Sequence, residues 1–132
     1  MIGLDTNVLA RLFVEDDITQ AHLAREFVAT QCTQQNPGFI DRVALCELVW
    51  VLSSVHGYRR AEIALVIEKL LSSRDLILED EGAVRAALQT LKSRTVDFTD
   101  ALIGEVNLSH GCDATATFDR QAAKLNGFIR VS

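Results

Sequence analysis

The feature that most restricts this chain is an alternation along its length. Short apolar runs of strand size take turns with longer runs whose apolar residues recur at helical spacing. A first strand is expected over residues 2–4, with helices over 6–14 and 19–31, the second carrying Leu23, Ala24, Phe27 and Val28. Asn36-Pro37-Gly38 is turn punctuation before a second strand at Phe39-Ile40. Residues 43–55 form a strongly apolar helical run that stops at His56-Gly57, and residues 62–72 place Ile63, Val66, Ile67, Leu70 and Leu71 on one stripe. The remaining expectations are a strand over 76–78, helices over 82–92 and 99–110, a strand over 114–118, a short helix over 119–125 and a last strand over 128–131. Strands separated by helices imply βαβ units and a mainly parallel sheet, which binds ligands at the carboxyl ends of its strands.

A chain of 132 residues fits one domain with one hydrophobic core, so a single domain over residues 1–132 is expected. Cys32, Cys46 and Cys112 are odd in number, and no two have zinc-like spacing. That favours reduced thiols in a cytoplasmic protein over a disulfide framework. The opening Met-Ile-Gly-Leu-Asp lacks a basic leader, and the longest apolar stretch, residues 43–52, is too short to cross a bilayer and contains Glu47. No membrane role is expected. The formal net charge of −5 argues against a basic coat that grips nucleic acid along its whole surface, but not against an enzyme that meets phosphate through a metal ion.

Acidic residues fall where a ligand site is expected. Asp5 follows the first strand, Asp119 follows the fourth, Asp97 and Asp100 flank a helix start near Thr99, and Glu47 lies one turn into the helix after the second strand. Helix capping is an alternative reading of Asp97 and Asp119, and Asp100 suits a helix dipole. Glu47 is less ordinary. Its helix is apolar nearly all round and should be buried, where a carboxylate costs on the order of several kcal/mol unless an arginine or a metal ion compensates it. Carboxylates that converge repel one another, and a cation relieves them. With oxygen ligands alone, the expected ion is magnesium, or manganese. Such a centre activates a water and offsets charge on a cleaved phosphodiester.

Four segments, in this order, resemble the PIN domain and, more narrowly, the VapC-type toxins of bacterial toxin–antitoxin pairs. They are Ile2-Gly3-Leu4-Asp5-Thr6-Asn7-Val8-Leu9, Ala44-Leu45-Cys46-Glu47-Leu48-Val49-Trp50-Val51-Leu52, Asp97-Phe98-Thr99-Asp100-Ala101-Leu102-Ile103 and Thr115-Ala116-Thr117-Phe118-Asp119-Arg120. The resemblance implies an α/β fold of three layers, with a five-stranded, mainly parallel sheet and helices on both faces. It also implies a magnesium-dependent endoribonuclease. By position, Asp5, Glu47, Asp100 and Asp119 match the catalytic, metal-holding acids, Thr6, Asn7 and Thr117 match their polar neighbours, and Asp97 supports from further out. Many relatives are homodimers held inactive by an antitoxin protein, whose basic side chain would suit an acidic cleft.

Arg42, Arg59, Arg60, Lys92, Arg94, Arg120 and Lys124 are candidates for a basic rim, although a solvated mixed-charge surface accounts for each as well. His56 and His110 fit helix ends, His22 fits a surface helix, and Trp50 is expected in the core. Two other functions compete. A non-catalytic module binding RNA or protein would be marked by loss of an acid, and all four are present. An aspartate-based phosphatase of the haloacid-dehalogenase type places a second aspartate two residues after the first, where this chain has Asn7.

Overall fold

The computed structural model describes residues 1–132, which divide into two compact units, Met1–Glu79 and Asp80–Ser132. In the first unit the order is β1 (Ile2–Gly3), α1 (Thr6–Phe13), α2 (Ile18–Gln31), β2 (Gly38–Ile40), α3 (Arg42–Ser54), α4 (Arg60–Ser72) and β3 (Leu76–Leu78). The strands pair in parallel in the order β1-β2-β3, so each crossover is made by two helices. Gly3 sits opposite Phe39, and Ile40 opposite Leu78. Leu9, Ile40, Leu45, Leu48, Leu52 and Ile67 are its largest fully buried side chains apart from Cys32.

The second unit runs α5 (Glu81–Ser93), α6 (Phe98–Ser109), β4 (Thr115–Thr117), a 3₁₀ turn (Ala122–Lys124) and β5 (Phe128–Arg130). Here β4 and β5 pair in parallel, α5 packs on α6, and Phe98 and Val84 are fully buried. Gly104 of α6 admits the Phe128 ring: a Cβ there would lie 2.4 Å from it. All five expected strands therefore form and every pairing is parallel, as ladders of three and two strands. The chain is an α/β protein with six α-helices. Gly57 and Gly111, the expected helix stops, have φ of +69° and +89°, a region that glycine enters without steric penalty. The expected helix over residues 119–125 shrinks to the 3₁₀ turn.

Two expectations about α3 fail. Glu47 is exposed, and Trp50, expected in the core, is 61% exposed. Only one face of α3 is covered, through Ala44, Leu45, Leu48 and Leu52. Val43, Glu47 and Trp50, spaced by four and three residues, lie on another face, and Val43 is 75% exposed. In this unit α3 packs on α1 and α4, which leave part of its circumference uncovered, so its apolar residues outnumber the sites the unit buries. Likewise α2 buries Ala21 and Ala24 and leaves Leu23 and Phe27 exposed.

This division of α3 is testable by urea unfolding. Leu48→Ala should destabilise by about 2–5 kcal/mol, and Trp50→Ala by no more than about 0.5 kcal/mol. Equal losses would contradict it.

Candidate functional site

In Met1–Glu79 the carboxyl edge of the ladder carries an acid after every strand: Asp5 after β1, Asp41 after β2 and Glu79 after β3. Each secures a helix start. Asp5 Oδ1 accepts from the Val8 amide at 3.0 Å and caps α1, and Asp41 Oδ1 accepts from the Ala44 amide at 2.7 Å and caps α3. Glu79 Oε1 accepts from the Arg42 amide at 2.8 Å, and the Arg42 guanidinium lies 3.4 Å from the same oxygen. Asp5, Thr6 and Asp41 line an open cavity of about 310 Å³ with Gly3, Leu4, Val43 and Ala44. Glu47 stands one turn beyond Val43 on the same face of α3. Glu47 itself is exposed and does not line this cavity. Asn7 lines a second cavity, of about 370 Å³ between α1 and α2, with Val8, Arg11, Gln20, Leu23, Ala24 and Phe27.

In Asp80–Ser132 three aspartates influence one another. Asp100, in the first turn of α6, is half-buried, and its carboxyl is raised above the ordinary aspartate value first by burial, then by the charges of Asp97 and Asp119. Asp97 occupies the N-cap position of α6 but makes no side-chain cap hydrogen bond, so capping does not account for its carboxylate. Asp119 does cap: its Oδ1 accepts from the Gln121 amide at 2.7 Å and the Ala122 amide at 3.1 Å. Thr117 Oγ1 in turn accepts from the Asp119 amide at 3.0 Å and holds that residue against the end of β4.

The donor set is made of oxygens. No three carboxylates, imidazoles or thiolates are gathered tightly enough to cage a metal ion by themselves. Magnesium does not require that, since it keeps several of its waters and binds through one or two carboxylates and substrate phosphates. An elevated Asp100 beside two further acids is the electrostatic situation that a divalent cation relieves. The donors in each unit therefore suit a hard cation in their chemistry.

Sequence reasoning missed Asp41 and Glu79. Glu79 opens the acidic run Glu79-Asp80-Glu81, yet it is half-buried against the start of α3. The signal was present in Leu4-Asp5, Ile40-Asp41 and Leu78-Glu79, an aliphatic residue followed by an acid at each strand end. Arg42, a candidate for the basic rim, is engaged by Glu79.

The family model described as the PIN domain matches residues 2–127. No curated protein matches. No helix is long and apolar enough to cross a membrane.

The Asp100 environment has a consequence for stability. Its folded pKa lies above the unfolded one, so stability is full at pH below the unfolded value, ~3.9, and falls as pH rises through the folded value. Asp100→Asn removes that loss. Without metal at pH 7, Asp100→Asn should melt above wild type in thermal scans, and the gap should narrow toward acid pH. A lower melting point at pH 7 would contradict the placement of Asp100.

Proposed function

The chain belongs to the PIN domain family, whose members are in general nucleases using divalent metals, and from that premise we propose that it is a magnesium-dependent endoribonuclease. The observation that carries this reading is the extent of the family match, which takes in all four acids expected to act. We assign the holding of the ion to Asp5, Glu47, Asp100 and Asp119, with manganese as a substitute. Thr6, Asn7, Thr117 and Asp97 support them, and residues 1–132 act as one functional domain.

When bound, the ion supplies a Lewis acid that lowers the pKa of an attacking water and offsets charge on the phosphodiester. The chain's own contribution is to fix the acids. Asp5 and Asp119 are held by hydrogen bonds from helix-start amides, which limits their rotation before any substrate arrives. Asp100, half-buried near Asp97 and Asp119, would present its carboxylate to such an ion.

We further assign the protein to the toxins of type II toxin–antitoxin pairs. Its partners are then an RNA substrate, a cognate antitoxin and a second copy of itself, in the cytoplasm. What supports this narrower reading is the order and spacing of the four segments described above.

Two measurements test the function. Asn caps a helix as well as Asp does, so Asp5→Asn should fold like wild type and cleave RNA at least ~100-fold more slowly, at or beyond the 10–100-fold seen when a metal's outer partners are removed. Asp5→Ala should in addition lose about 1 kcal/mol of stability. Magnesium at about a hundred times its dissociation constant should stabilise the wild type by ~2.7 kcal/mol. Wild-type cleavage rates in Asp5→Asn, or a melting temperature indifferent to magnesium and manganese, would overturn the assignment. Folded, metal-binding protein that cuts no RNA would point to the binding module.

A further inference from the structure

Asp41 carries a charge that its structural task does not need. The cap on α3 requires only an acceptor oxygen, and Asn and Ser provide one as well as Asp does. Nor does the helix dipole call for it, since Glu79 already sets a carboxylate against the Arg42 amide at the same helix start. The charge also stands at the level of Asp5. Gly3 is paired with Phe39 and Leu4 N donates to Phe39 O at 2.9 Å, so the parallel register continued two residues past Gly3 and Phe39 sets Asp5 beside Asp41. Both residues are in extended conformation, with φ, ψ of −84°, 171° and −78°, 167°. Adjacent strands are about 4.8 Å apart, and both side chains line the same open cavity with Thr6. Two carboxylates that border one open cavity offer a hydrated cation partners from two strands.

We propose that Asp41 is a positioning residue for the divalent cation, acting beside Asp5 by accepting hydrogen bonds from water in the ion's hydration shell. The inference rests on the metal-dependent nuclease reading and adds to it an acid outside the four assigned above. Magnesium retains several waters when bound to protein, and those waters are donors. Asp41 is exposed and its cap engages Oδ1, so its carboxylate meets solvent as well as the helix. The cap fixes the side chain, and the charge raises the local affinity for the hydrated ion.

The test uses the whole chain as wild type, Asp41→Asn, Asp41→Ser and Asp5→Asn. Magnesium is titrated without RNA and followed by melting temperature and by calorimetry, and RNA cleavage is followed over the same concentrations. Both Asp41 variants keep a capping oxygen and should melt, metal-free, at or above wild type. Their magnesium midpoint should rise by about 10-fold or more, the range for outer-shell partners, and raising magnesium should restore cleavage to them but not to Asp5→Asn. A purely structural Asp41 would leave the midpoint unmoved. Midpoints within twofold of a wild type that binds magnesium and cuts RNA would overturn the role of Asp41 alone. A wild type with no midpoint and no cleavage would overturn the nuclease reading and this inference together.

Discussion

In-register parallel pairing of three very short strands governs what Met1–Glu79 presents to a ligand. With only two or three residues per strand, the chain leaves each strand at nearly the same level, and whatever residue comes next lies in a row across the edge. At that level the chain has Asp41 and Glu79 directly after β2 and β3, and Asp5 one residue beyond Leu4 after β1. A helix begins within three residues of the end of β1 and of β2, and its free amides take the carboxylates. Strand end and helix cap are thus set by one geometric fact. A one-residue slip in the register of β2 would break the row and the pairing of Ile40 with Leu78 together.

The second unit reaches a related result by another route. Its acids come from a helix start and from the residues after β4, and their mutual influence is visible in the raised Asp100. Asp100 lies next to Ala101 and Leu102, which are buried, so the packing that seats α6 also desolvates the carboxyl. Gly104, one turn further on, lets Phe128 close against the helix. The apolar contacts that hold this unit together and the electrostatic tension in its acids are therefore consequences of the same helix placement.

Much of this was legible in the sequence. Element order, all five strands and the positions of six helices followed from periodicity and punctuation, because Gly, Pro and strand-to-helix changes in spacing are local signals. Asp5 and Asp119 stood out because each directly follows a run expected to be a strand, residues 2–4 and 114–118. The errors concern burial, which is not local. The run around Glu47 looks apolar all round, yet whether Trp50 is covered depends on how many helices the fold brings to α3. Leu23 and Phe27 misled in the same way. Asp41 and Glu79 were overlooked because their significance depends on which strands are neighbours, and strand order cannot be read from any one segment.

The double use proposed for Asp5 and Asp119 bears on how a lineage of such chains would lose its chemistry. An aspartate codon becomes an asparagine codon by one nucleotide change, and the amide keeps the oxygen that the helix start requires. Selection for a foldable chain and selection for a working centre are therefore separable at these positions. A gene can drift to a silent but well-expressed form in one step, and a single reversion restores it. Core positions such as Leu48 offer no such route, because there a lost function and a lost fold arrive together.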